Sequence, residues 1–123
     1  MSRYGTPADA VFVGGSIDSI LSLTDSVPKN DVRVCFFLKG TEPDDGDGRY
    51  YRITAPAAEP DDAVGMCITS AEEGTDLTDS DLDIFHENFD EGIFLVVDPY
   101  ACEFSVYKVK GYDYAKAQIL ISE

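Results

Sequence analysis

The chain has 123 residues, 44% of them hydrophobic, with seven Phe and seven Tyr and a net charge of −15. That length fits a single domain spanning 1–123, and the apolar content is enough to build a core, which excludes wholesale disorder. Twenty-four acidic residues against nine basic ones repel phosphate backbones and anionic lipid, which excludes nucleic acid and membrane surfaces as partners.

Asp9 to Val13 reads as a first strand ending at Gly14-Gly15, and Ser16 stands where an N-cap belongs. Ile17, Ile20, Leu21 and Leu23 follow with near-helical spacing, so a first helix is expected over 16–26, ending before Pro28. Val32–Lys39 and Arg49–Thr54 are β-prone runs flanking the turn-rich 42–48, a hairpin with a long loop. Ala55–Asp62, with its prolines, is a connector, and Ala63–Thr69 a short buried strand. After a polar loop from Ser70 to Leu77, Thr78-Asp79-Ser80-Asp81 has the form of a capping box with Asp in place of Glu. Leu82, Phe85 and Phe89 give a second helix its apolar stripe, and Gly92 is expected to close it. Ile93–Val97 is an apolar strand, and Cys102–Val109 alternates as an antiparallel strand does. The tail 112–121 permits a helix or a strand, because Ala115, Ile119 and Leu120 suit either. The expected fold class is α/β (α+β), a mixed sheet with two main helices and its core over about 9–111.

No apolar run approaches the roughly 18 residues of a membrane helix, and no signal-like segment follows Met1–Pro7. A soluble, cytoplasmic protein is expected. Sixteen of the acids are Asp, and Lys is scarce at five. That balance reads first as a highly solvated surface, of the kind a salt-rich cytoplasm favours, and second as an attraction for a basic partner. Cys35, Cys67 and Cys102 each lie in a strand-like apolar run with no Cys-x-x-Cys pair, so buried free thiols in a reducing compartment are expected.

Four short words in order resemble the JAMM/MPN family, the zinc isopeptidase fold with a cytidine-deaminase-like architecture. They are Val34–Gly40 after the first helix, Val64-Gly65-Met66-Cys67, Thr78-x-x-Asp81, and Val96-Val97-Asp98-Pro99. In active members of that family two His and one Asp hold zinc, a fourth position takes water, and a Glu on the earlier segment is the acid/base. The resemblance places Ile68 and Ser70 at the histidine positions, Ala71 at the following proline, Arg33 at the glutamate, Thr78 at the serine and Asp81 at the aspartate. Catalytic zinc needs nitrogen, sulfur or carboxylate donors, and one carboxylate cannot hold it. The resemblance therefore implies an inactive member with no metal and no cofactor, a pseudoenzyme. Such a domain would bind or assemble protein partners, pairing with itself or with another MPN-like domain through the first or second helix.

Two other readings remain open. A groove that takes a ubiquitin-like tail in active relatives could bind an extended basic peptide, with Glu72, Glu73 and Asp76 as the binding residues. A residual hydrolase with another metal arrangement or nucleophile is the third. The cluster Glu72, Glu73, Asp76, Asp79, Asp81 and Asp83 could attract Ca²⁺ or Mg²⁺, but it lacks EF-hand spacing and reads as solvated loop carboxylates. Asp81 itself reads as a capping residue at a helix N-terminus. His86, the single histidine, reads as partly exposed on the second helix, and Cys67, between Met66 and Ile68, as buried and inert.

Overall fold

Gly14 and Gly15 turn the first strand directly into the first helix, both at positive φ (60° and 74°), where a side chain would be strained. The computed structural model describes residues 9–25, 35–42, 50–59, 61–69, 74–98 and 103–122. Within them run β1 (Ala10–Val13), α1 (Ser16–Asp25), β2 (Cys35–Thr41), β3 (Tyr51–Ala57) and β4 (Ala63–Thr69). Then come α2 (Asp79–His86), β5 (Glu91–Asp98), β6 (Glu103–Lys110), β7 (Asp113–Lys116) and β8 (Ile119–Ser122). The strands form one mixed sheet in the order β7-β6-β5-β4-β2-β3-β1-β8. The pairs β4–β5, β1–β3 and β1–β8 are parallel; β2–β3, β2–β4, β5–β6 and β6–β7 are antiparallel.

Side chains alternate across this sheet and divide the core in two. On β5, Ile93, Leu95 and Val97 join Phe12, Ile17 and Ile20 beneath α1. Phe94 and Val96 point the other way and join Met66, Ile68, Leu82 and Phe85 beneath α2. Each helix thus covers its own face. Ser16 is buried at the start of α1, and its hydroxyl donates to the Ile53 carbonyl at 3.1 Å, fastening the helix to β3.

β7 and β8 stand at opposite ends of the strand order, yet only Ala117 and Gln118 separate them, a reach of roughly 11 Å at most. The two ends of the sheet therefore meet. Ala117 N–H donates to Val106 O at 2.8 Å and Asp9 N–H to Gln118 O at 2.7 Å. Lys108 of β6 reaches the Asp9 carboxylate at 3.4 Å.

The expected order of elements holds, with differences that have local causes. The tail is two strands, because β6 and β1 offer it open edges on either side of Ala117. β3 runs through the expected connector as far as Ala57, with Pro56 opposite Leu38. Proline is tolerated there because the β1 pairing ends at Ile53, so the donor Pro56 lacks would face an open edge. α2 stops at His86 rather than at Gly92, which lies inside β5. Phe89 stays on the apolar stripe through its N–H bond to Phe85 O at 3.0 Å. Among the described residues no helix is long and apolar enough to cross a membrane.

Candidate functional site

The positions that the resemblance assigns to catalysis fall between the end of β4 and the start of α2. The parallel pairing sets Ile68 beside Val96 and Thr69 beside Val97, so Asp98 lies one step beyond, next to where β4 gives way to the loop. Asp98 is buried, and its Oδ2 accepts the Gly74 N–H at 2.7 Å. Tyr107 of β6 donates its hydroxyl to Thr75 O at 2.7 Å, and the Thr75 and Ser105 hydroxyls share a bond of 2.7 Å. Three hydrogen bonds thus tie 74–75 down against β5 and β6. The sequence words mark Asp98 as part of a fold signature but give no hint of this fastening role, which depends on a partner 24 residues away.

Ile68 is 1% exposed, enclosed by Met66, Leu77, Leu82, Phe85 and Phe94. Its neighbours offer hydrocarbon, and the side chain has no lone pair. Asp81 is also buried, and its carboxylate accepts the Thr78 N–H at 3.1 Å while its own N–H donates to Thr78 Oγ1 at 3.2 Å. This is a complete capping box, so the aspartate expected as a helix cap is one. Thr78→Ala should cost about 1 kcal/mol, the usual worth of an N-cap side chain. Urea denaturation will show it as a lower midpoint with an unchanged slope.

A JAMM-type zinc ion does not fit these residues. The first histidine position is core hydrocarbon, and the aspartate position is committed to a helix cap. Among the described residues no group of three or more His, Cys, Asp or Glu side chains converges as a metal site would. Arg33, Ser70, Glu72 and Glu73 lie outside the described residues, and Asp76, Asp79 and Asp83 are exposed.

His86 is partly exposed on α2, as expected, but it is not idle there. Its ring spans two carbonyl oxygens, Phe89 O at 2.8 Å from Nδ1 and Gly111 O against Nε2, and meets Phe85 edge-on. It braces the end of α2 against the β6–β7 turn. A cleft of about 640 Å³ opens beside it, lined by Asp90, Glu91, Lys110, Tyr112 and Asp113 among others. Among the described residues, none of the positions expected for catalysis lines that cleft.

The thiols also part company. Cys67 is buried as expected, and burial, followed by the neighbouring Cys35, pushes its thiol well above the ordinary 9.0. Cys35 is exposed, although it lies on the α2 face opposite Ile68, because it is the first residue of β2; Cys102 lies outside the described residues. Iodoacetamide should therefore label the native protein at Cys35 and reach Cys67 only after denaturation, which peptide mapping by mass spectrometry will read. Burial likewise raises the Tyr51 and Tyr107 hydroxyls above 10.0. The folded state keeps protons that the unfolded chain releases, so this contribution is fully present below pH 9.0, begins to be lost as pH passes 9.0 and then 10.0, and goes on falling until pH has risen through the raised folded values. The urea midpoint should fall across that window.

No family model matches the chain, and no curated protein does. Solved structures do. A JAMM protein described as a metalloprotease-like zinc site in the proteasome and signalosome superposes with a TM-score of 0.66 at 14% identity, over 93% of this chain and 98% of that one. Protein DSY2949 from Desulfitobacterium hafniense gives 0.63 at 14%, over 93% of each chain. AF2198, a JAB1/MPN domain protein from Archaeoglobus fulgidus, gives 0.64 at 15%, over 91% of this chain and 98% of that one. Matches this extensive at such low identity speak for the fold alone. The curled eight-stranded sheet with one helix on each face is the JAMM/MPN fold.

Proposed function

We propose that the chain is a non-catalytic JAMM/MPN-like domain that works by binding or assembling protein partners. The observation that carries this reading is Ile68, a hydrocarbon side chain sealed in the α2 core where the resemblance calls for a zinc-binding histidine. Asp81 supports it, since the helix cap accounts for a buried aspartate without any metal. The exposed apolar surface supports a binding role. Of the five large hydrophobic side chains exposed among the described residues, Tyr112, Tyr114, Leu120 and Ile121 lie on the last two strands or the turn before them.

Two assays test this together. Isopeptide-linked and linear fluorogenic peptides, incubated with the protein and added zinc, should show no turnover above buffer. Sedimentation over a concentration series, alone and with a JAMM/MPN-like partner, should show a defined complex. Turnover that disappears in Asp81→Asn would return the chain to the hydrolases.

A further inference from the structure

The lysines are unevenly placed. Residues 104–122 hold three of the five, Lys108, Lys110 and Lys116, against the single acid Asp113, a net +2 in a chain of −15. All three lysines line one groove of about 270 Å³ on the β6–β7 hairpin, together with Tyr114, Ala115, Asp9 and Asp113. Lys108 is already held by Asp9, but among the described residues neither Lys110 nor Lys116 has an ion-pair partner.

Among the described residues the same hairpin presents an open strand edge. β7 ends the strand order, so its outer side is unpaired among the described residues. Ala117 turns its N–H inward to Val106 O. Antiparallel ladders alternate, so Ala115 and Asp113 also turn inward, and the N–H and C=O of Tyr114 and Lys116 face outward. Tyr114 and Lys116 share one face of the sheet. On the other face Ala115, paired with Lys108, is too small to block it from a strand laid beside β7, and Asp113 stands opposite Lys110. The edge is also held in place. Gly111, at φ 60°, makes the tight turn, its N–H donates to Asp90 O at 3.0 Å, and its carbonyl meets His86.

Resting on the reading of this chain as a binding domain, we infer that the β7 edge takes an extended acidic segment of a partner protein as a ninth strand. Backbone bonds from Tyr114 and Lys116 hold the strand, and the lysines on its two faces, Lys116 on one and Lys110 on the other, select for carboxylates. The occupant is a separate acidic segment rather than a second copy, because β7 pairing with its own kind would bring two lysine-bearing hairpins together. β8, the other end of the sheet, has no acid in Ile119–Ser122 to offer.

The test uses the full chain and two labelled peptides in which pairs of valines alternate with pairs of either glutamate or lysine, so that charge falls on both faces of an added strand. By fluorescence anisotropy the glutamate peptide should bind saturably and more weakly as salt rises, and the lysine peptide should not bind. Lys110→Glu combined with Lys116→Glu should weaken binding roughly tenfold or more, while Lys39→Glu, an exposed lysine on β2, should not. By NMR, the Tyr114 and Lys116 amides should gain exchange protection on binding while Ala115 stays as it was. Binding of the lysine peptide instead, dimerisation through these amides without peptide, or no saturable binding would each overturn the inference. None of these outcomes bears on the absence of catalysis, which the turnover assay decides separately.

Discussion

Replacing Phe85 with alanine should cost about 3–5 kcal/mol, the range for removing a large buried aromatic side chain. The ring is fully buried and stands at the centre of the α2 core, with ring centroids 5.0 Å from Phe94, 5.2 Å from Phe89 and 5.5 Å from His86. Gly92 passes so close beneath it that an added Cβ would lie 3.3 Å from Phe85 Cζ, so the cavity has little freedom to collapse. Against a typical domain stability of about 5–15 kcal/mol, such a loss removes much of the margin. Calorimetry should show melting lowered by roughly 12–20 °C. An unchanged melting temperature would mean that α2 is not seated as described.

The second large effect concerns function directly. Ile68→His installs the residue that the resemblance calls for, and it should destabilise the fold rather than build a metal site. The substitution gives up the burial of an isoleucine, worth about 1.5–3 kcal/mol, and puts ring nitrogens among Met66, Leu77, Leu82 and Phe94. A polar group buried without a partner costs about 1–3 kcal/mol more. The expected loss is roughly 3–5 kcal/mol, read from the urea midpoint, and zinc should not recover it. Recovery by stoichiometric zinc would show that the site needs only one ligand to be restored.

The elements most legible in the sequence were those whose signal is local. The capping box Thr78–Asp81, the stripe of Leu82 and Phe85 and the solid apolar run of β5 stand in the structure where their spacing puts them. Gly65 also has its physical reason here. A Cβ would run into the Ile93 carbonyl, so the parallel β4–β5 pair demands glycine in the word Val64-Gly65-Met66-Cys67. What the sequence left open depends on distant partners. Ile119 and Leu120 fit both helical and strand periods, and β1, 109 residues earlier, decides for a strand. The apolar neighbours of Cys35 suggest burial, but its place at the very start of β2 leaves it exposed. His86 owes its bracing role to Gly111, 25 residues on, and Asp98 owes its own to Gly74. The candidate site was legible as a set of substitutions but not as a structure. That Ile68 belongs to the α2 core follows only once β4, β5 and α2 are set against one another.

The most direct test of the central claim is the zinc content of protein purified without a metal-binding tag, followed by thermal shift with added zinc and with EDTA. Zinc should be well below stoichiometric, and neither addition should move the melting temperature. Stoichiometric zinc together with destabilisation by EDTA would contradict the account. It would mean that Ile68, Ser70 and Arg33 do not occupy the family's catalytic positions, and that the metal is held elsewhere in the chain.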